Sequence, residues 1–292
     1  MQLSRIVSGR AAGHDLRRAV SVLRLGRLAN RRNPLSLVLL YRVALWRTTL
    51  SEVRQRYAGS VMGLFWLAIA PALLMCLYAT TFVFIFKVKP AGMEIGAYLL
   101  QMFAGLLPLL GFSEALLSGS GSLTANRAVL LNTVYPAELV SLRMVLSSHA
   151  ATTLGLALLM AATVIMGYGS PALLLLPVVL ALQIMFTTGL TWPLSLASLV
   201  LRDIQQVLAF LCTALMIASP IAYTIDSAPG PLRLLVLMNP LSYFILTFQS
   251  LVVRGILPGP KITAACLVLS FGMFFLGFRL FQRGKLAFWD YA

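Results

Sequence analysis

The sequence predicts an all-α integral membrane protein. It is expected to have six transmembrane helices, an N-terminal amphipathic interface helix, a short cytoplasmic helix between spans two and three, and two short re-entrant outer helices between spans five and six. Three observations lead there. The chain is 60% hydrophobic and 11% charged, whereas soluble domains carry about 25% charged residues. Several apolar runs exceed the ~20 residues needed to cross a bilayer. The basic residues also gather at one end: residues 1–60 hold 12 of the 23 Lys and Arg, all of them Arg, against Asp15 and Glu52.

Residues 1–34 are basic with weak periodicity and predict a loosely ordered cytoplasmic arm. The transmembrane domain covers 35–286, and 287–292 form a cytoplasmic tail. Within 35–58, Leu39, Val43, Trp46, Leu50 and Val53 recur every three or four residues, and Arg42, Arg47, Arg54 and Arg56 supply basic heads. Such a helix lies in the interface plane with its arginines among the headgroups; a cytosolic helix packed on a partner is the other reading. Spans are expected near 61–86, 98–118, 137–166, 172–200, 204–223 and 262–281. No compact apolar stretch with a small-residue cleavage site precedes the first, which is expected to act as an uncleaved insertion signal. The stretch 224–261 contains Pro229, Pro231, Pro240, Pro258 and Pro260. These prolines leave apolar segments 232–238 and 241–253, too short to span, which read as helices that dip into the outer leaflet and return.

Orientation follows from the basic residues near the span ends. With the N-terminus inside, the inner segments add Arg127, Arg202, Arg279, Arg283 and Lys285 to the N-terminal arginines, giving 17 against Lys87, Lys89, Arg233, Arg254 and Lys261 outside. Both termini are therefore expected in the cytoplasm. Without the N-terminal block the two sides are equal, so that block carries the assignment.

The same placement excludes other classes. A net charge of +15 would also fit a nucleic-acid surface, but arginines massed beside a first span are the positive-inside pattern. Cys76, Cys212 and Cys266 lie far apart in apolar runs, without metal or redox spacing, and read as small buried hydrophobes. No G-x-x-x-x-G-K-[ST] loop is present, so ATP is not bound by that device. Nor is there a pair of aspartate-rich motifs for a magnesium diphosphate, or the loop carboxylate pair of a glycosyl-transferring enzyme. An ion-coupled carrier would want midplane charge pairs and an internal repeat, and neither is evident.

A few polar residues stand out within or beside the spans. Glu114 in span two is expensive in lipid and is expected to face a polar channel, a partner helix or the inner interface. Glu138 and Arg143, five apart at the start of span three, are expected to snorkel or to pair with each other. His149 reads as a buried, hydrogen-bonded histidine. Arg202 and Asp203 make the loop between spans four and five, pairing together or meeting a partner. Tyr78, Phe82, Phe84 and Phe86 lie along the outer half of span one. Their rings suit the C–H faces of sugars, with lipid contact or packing as the plainer reading.

Several motifs follow in order. The first is Arg56-Tyr57-Ala58-Gly59-Ser60-Val61-Met62-Gly63-Leu64-Phe65-Trp66, with Pro71 after it. Next come Asn126-Arg127-Ala128-Val129-Leu130-Leu131-Asn132-Thr133-Val134-Tyr135-Pro136, Arg202-Asp203, Ser219-Pro220-Ile221-Ala222-Tyr223 and Asn239-Pro240-Leu241, then Arg254-Gly255. In this order and topology, over about 36–285, the chain resembles the polysaccharide and O-antigen export permeases of the ABC-2 type exporter superfamily.

That resemblance implies a second copy of the chain forming a homodimeric channel, and two ATP-binding cassette subunits that hold ATP and Mg, with no cofactor in this chain. The implied cargo is a lipid-linked polysaccharide on an undecaprenyl-type carrier, exported across the bacterial inner membrane. Teichoic acid or another glycolipid is the alternative cargo, and an integral-membrane enzyme acting on lipid-linked sugars is the rival class. The resemblance also assigns a coupling helix with Thr124, Asn126, Arg127, Val129, Leu130 and Tyr135. It assigns a substrate entrance with Arg54, Arg56, Tyr57, Gly59, Ser60 and Trp66, and an outer gate with Asn239, Pro240, Tyr243 and Arg254.

Physical reasons stand beside these assignments. Gly59 and Gly63 permit a sharp bend and close packing. Tyr57 and Trp66 suit the interfacial belt. The Arg56 guanidinium can hold a phosphate, or serve as one more positive-inside anchor. Thr124 is placed to cap a short helix that ends before Pro136, giving a stiff lever for an ATPase to push.

Overall fold

The structure, a computed structural model, describes residues 33–85, 93–127, 130, 135–201, 203–221, 223 and 230–291, and side chains among these except at 232 and 286–291. The helices are α1 (Pro34–Leu40), α2 (Arg42–Arg56), α3 (Trp66–Thr80), α4 (Ile95–Ser120), α5 (Ser122–Ala125), α6 (Ala137–Ile165), α7 (Leu176–Val200), α8 (Ile204–Ala218), α9 (Gly230–Met238), α10 (Pro240–Gln249) and α11 (Pro260–Tyr291). Short 3-10 turns lead into α3 and α7, and π turns extend α3 to Ile85 and α10 to Arg254. No strand occurs among the described residues.

Five helical stretches are long and apolar enough to cross a membrane: Gly63–Ile85, Ile95–Ser120, Ala137–Ile165, Pro171–Val200 and Pro260–Lys285. At 1.5 Å per residue they run about 35 to 45 Å, beyond the ~30 Å hydrocarbon core. Prolines mark several starts: Pro136 precedes α6, and Pro260 opens α11, where a missing N–H costs nothing. Span two begins three residues before, and ends two residues after, the expected 98–118.

The expected span 204–223 differs. Its helix, α8, stops at Ala218, and 15 residues reach about 22 Å. Ser219 is extended, the conformation that a following proline imposes. The polar groups at this break are met locally. Asn239 Nδ2 donates to Ser219 Oγ at 3.0 Å, Gln249 Nε2 to the Pro220 carbonyl at 2.8 Å, and the Tyr223 hydroxyl to the Ala218 carbonyl at 3.0 Å. Irregular backbone in an apolar setting needs such partners. Both Asn239 and Gln249 belong to the α9–α10 hairpin. Its second arm and the π turn after it are well packed, with Phe244, Ile245, Phe248, Leu251 and Val252 buried, whereas α9 buries Val236 and leaves Leu234, Leu235, Leu237 and Met238 exposed.

Span two is the axis of the bundle: 72% of its most apolar window is buried, against 6% for span one. Spans three and four and α10 pack around it. The last of the five, α11, lies along α7, where Gly189 and Gly277 let the backbones meet. A Cβ on Gly277 would sit 1.9 Å from the Gly189 carbonyl oxygen, so neither position has room for a side chain. Trp192 of α7 packs against Phe274 and Phe278 of α11 with ring centroids 5.0 and 5.3 Å away. Leu37 and Leu45 of the N-terminal helices join that cluster.

Candidate functional site

Helix α2 presents two apolar faces. Leu45, Thr49 and Val53 are buried, and the helix packs against α6. Val43, Trp46 and Leu50 form a bare stripe, with Trp46 69% exposed, and Leu39 of α1, across the break at Tyr41, is bare too. Four of the five residues of the expected stripe are thus exposed, while Val53 turns inward. Arg42, Arg47 and Arg54 are exposed.

Two ionic contacts pin α2 to the spans. Glu52 pairs with Arg143 of α6 at 3.3 Å, and the same Arg143 nitrogen donates to Asn126 Oδ1 at 2.7 Å. Near these, Thr48 Oγ1 and the Tyr135 hydroxyl share a hydrogen bond of 3.3 Å. Helix α2 is thus fastened at two points to the segment between α4 and α6.

The other contact is at its C-terminal end. Arg56 Nη1 meets the Glu114 carboxylate of α4, and Nη2 donates to Ser148 Oγ of α6 at 2.9 Å. Ser148 in turn shares a 2.7 Å hydrogen bond with Ser118. Tyr57 lies beside this pair. Burial, and then the Glu114 charge, push its phenol above the usual range, while Arg56 draws it down.

After Tyr57 the chain turns through Gly59 and Gly63, at φ 81° and 51°. Nothing lies within 4 Å of a Cβ at either glycine. The glycines therefore serve the bend, through left-handed backbone, and not the close packing expected from the sequence. Ser60 is exposed and Trp66 is half-buried at the start of α3.

In the segment between α4 and α6, Thr124 is exposed within α5, and the N-cap is Gly121; the expected capping role falls away. Asn126 Nδ2 donates to the Ser122 carbonyl at 2.9 Å. Leu123 and Leu130 are buried and Arg127 is exposed. Val129 and residues 131–134 lie outside the described residues, as does Arg202. A hydroxyl chain, Ser122–Ser141–Ser195 at 2.8 and 3.3 Å, ties the segment to spans three and four.

Glu138 and Arg143 do not pair with each other. Five residues apart on a helix they face different directions. Glu138, 1% exposed, instead accepts from Lys285 Nζ at 2.8 Å and Gln282 Nε2 at 2.7 Å on α11, and its carbonyl accepts from Trp192 Nε1 at 2.9 Å. His149 is buried as expected, with Nδ1 2.9 Å from the Val145 carbonyl.

Asn239 caps α10: its side-chain oxygen accepts from Leu241 N at 2.9 Å. Pro240 follows at the first helical position, and Tyr243 donates to the Leu237 carbonyl at 2.9 Å. Arg254 is exposed, and Gly255 closes the π turn at φ 67°. The span-one aromatics do not form one file. Tyr78 and Phe82 stack 6.3 Å apart, and Phe82 meets Tyr98 of span two at 6.5 Å. Phe84 points outward, and Phe86 lies outside the described residues. Among the described residues, no three His, Cys, Asp or Glu side chains gather to hold a metal ion.

A profile of the family described as ABC-2 type transporter matches residues 41–253. The chain belongs to the ABC-2 type transporter family. It is 26% identical over 250 residues to the O-antigen export system permease protein RfbA of Myxococcus xanthus, covering 84% of this chain and 94% of that protein. It is 27% identical over 248 residues to a protein of the same name from Klebsiella pneumoniae, covering 82% and 91%.

In this ABC-2 chain the matched region runs from just before α2 to the π turn after α10. It includes both ionic contacts of α2 and ends before α11. In the sequence Arg56 and Glu114 stand out singly, and Arg143 stands with Glu138 and not with Glu52 and Asn126, its partners in the fold. Ser118, Ser148, Ser219 and Gln249 do not stand out there as hydrogen-bonding partners. Buried hydroxyls and amides inside apolar runs were the one signal that could have found them.

Proposed function

We propose that this chain is the membrane-spanning permease of an ABC exporter that carries a lipid-linked polysaccharide of O-antigen type out of the cytoplasm. Two copies line the path, and two ATP-binding cassette subunits, holding ATP and Mg, dock on the inner face. The observation that carries this reading is the fastening of α2 to the inside segment through Arg143 and Tyr135. A partner pressing on residues 122–136 thereby moves an amphipathic helix lying at the inner leaflet. The relatives' names support polysaccharide cargo over other cargo of the superfamily.

In this reading six crossings place both termini in the cytoplasm of a bacterial inner membrane. The α9–α10 hairpin closes the outer end, with Asn239, Pro240, Tyr243 and Arg254 at its rim. Arg54, Arg56, Tyr57, Gly59, Ser60 and Trp66 form the entrance, and Arg56 holds a phosphate of the lipid carrier. Tyr78, Phe82, Phe84 and Phe86 offer rings to the passing glycan. Spans one and five, the most exposed of the bundle, face the second copy. The coupling segment is Thr124, Asn126, Arg127, Val129, Leu130 and Tyr135.

The test is ATP-driven glycan export in vesicles holding the chain and its cognate ATPase. Charge reversal at Arg127, or a bulky residue at Val129, is expected to abolish export while ATP hydrolysis continues. Unchanged export, or failure of the chain to co-purify with any ATP-binding cassette subunit, would sink the reading.

A further inference from the structure

Arg56 stands where three elements converge: the end of α2, the inner half of α4 through Glu114, and α6 through Ser148. The Arg56 side chain is 26% exposed and that of Glu114 49% exposed. The site is therefore enclosed on the protein side and open on the other. The residues that follow, Val61, Met62, Leu64 and Phe65, are apolar and bare, a surface along which an acyl or prenyl chain can lie.

The chemistry of the pocket is that of a phosphate site with a carboxylate in it. A guanidinium presents parallel N–H donors that fit two oxygens of a carboxylate or of a phosphate equally well. Ser118 and Ser148 add hydroxyls that Glu114 leaves bonded to each other and to the Ser118–Glu114 helix turn. A diphosphate carries more charge than a carboxylate and has oxygens left over for both hydroxyls.

We propose that Arg56, Ser118 and Ser148 form a receiving site for the diphosphate of a lipid-linked substrate, and that Glu114 is its built-in counter-anion, displaced on loading. This rests on the lipid-linked reading above. A bare arginine at the inner leaflet would be occupied by the phosphodiesters of bulk phospholipid. Glu114 competes with such singly charged groups and yields to a diphosphate, so it sets selectivity as well as closing the site. Its release also frees α2 from α4, while the Glu52–Arg143 contact holds α2 to α6. Loading thus loosens one end of the interface helix and leaves the other attached.

The experiment uses the full chain in nanodiscs of zwitterionic lipid, with farnesyl diphosphate as probe. Wild type is expected to bind the diphosphate and to discriminate against farnesyl monophosphate. Glu114→Gln is expected to bind the diphosphate about tenfold tighter. It should also accept the monophosphate and be competed by phosphatidylglycerol added to the disc, which wild type resists. Glu114→Asp, shorter by one methylene, is expected to fall between the two, and provides the answer should the glutamine variant not fold. Arg56→Gln is expected to lose binding in every background. Equal or weaker diphosphate binding by both Glu114 variants overturns the proposal, as does retention of binding in Arg56→Gln. Binding to wild type in discs together with absent glycan export would instead count against the transport reading and leave the site standing.

Discussion

Arg143 of α6 donates a 2.7 Å hydrogen bond to the side chain of Asn126, and the same guanidinium nitrogen stands 3.3 Å from Glu52 of α2. One side chain therefore joins α6, the segment between α4 and α6, and helix α2. Arg143→Met leaves Glu52 and Asn126 without their partner at a site only 14 to 20% exposed for the two charges. The expected cost is about 1–3 kcal/mol, read as a lowered unfolding midpoint in detergent. The variant is also expected to hydrolyse ATP in complex with its motor while export falls. Arg143→Lys should recover stability better than export, since a point charge cannot serve both acceptors in fixed directions. A double-mutant cycle of Glu52→Gln with Asn126→Ala is expected to be non-additive.

The Glu138–Lys285 pair makes a second, separable prediction. Glu138 is 1% exposed and takes both Lys285 and Gln282 from α11. Lys285→Met leaves a buried carboxylate without its counter-charge, with Gln282 alone still donating to it, and removing one member of such a pair costs about 3–5 kcal/mol. Adding Glu138→Gln to Lys285→Met removes the stranded charge and is expected to restore much of the loss. Thermal unfolding of wild type and the two variants checks the order: wild type, then double, then Lys285→Met.

Much of this architecture was legible in the sequence because span boundaries depend on local properties. The third and fourth spans were expected at 137–166 and 172–200 and occur at Ala137–Ile165 and Pro171–Val200, since prolines and apolar runs are local signals. The charge pairings were not legible. Arg56 finds Glu114 58 positions away, and Lys285 finds Glu138 147 positions away, and no periodicity in one chain reports such distances. The early end of α8 was likewise hidden. Hydropathy continues through Ser219–Tyr223, and only the packing of Asn239 and Gln249 against Ser219 and Pro220 reveals irregular backbone there.

Gly277 and Gly189 are expected to tolerate nothing larger. A Cβ on Gly277 meets the Gly189 carbonyl, and one on Gly189 lies 2.3 Å from the Met273 carbonyl. Both obstacles are backbone, so relief requires spans four and six to separate along their contact. Gly277→Ala is expected to destabilise by about 1–3 kcal/mol or to prevent accumulation of folded protein. Gly272→Ala, with nothing within 4 Å of its Cβ, is expected to be neutral or slightly stabilising as the better helix former. Fluorescence size-exclusion profiles of the two variants check this contrast.

Trp46 tests where α2 lies. It is 69% exposed on the bare stripe, whereas Trp192 is 1% exposed among Phe274 and Phe278. A variant keeping Trp46 alone is expected to be strongly quenched by lipids brominated near the headgroup end of the acyl chain. A variant keeping Trp192 alone should be quenched weakly. Indifference of Trp46 to brominated lipid would place the stripe against a protein partner and not in the interface. Trp46→Asp is then expected to weaken membrane seating of α2 without unfolding the bundle, since the buried face of the helix is untouched.

Site-directed labelling decides whether the 15-residue α8 counts as a crossing. Counting from an inner N-terminus, spans one and two return the chain to the inside at Thr124, and spans three and four return it again at Leu201. If α8 together with the irregular stretch to Tyr223 completes a passage, Gly259 lies outside; if not, Gly259 lies on the same side as Thr124. Both positions are exposed, and a Cβ at Gly259 meets nothing within 4 Å, so cysteine fits there without strain. Cys212 and Cys266 are buried and Cys76 is exposed, so the labelling background is Cys76→Ser. An impermeant maleimide is expected to modify Thr124→Cys only in inside-out vesicles and Gly259→Cys in intact cells. Opposite sidedness for these two residues means that a short helix, continued by backbone satisfied by Asn239 and Gln249, crosses where its length alone would not reach. The same sidedness for both would make α8 a half-span and put the C-terminal end of α11 on the far face.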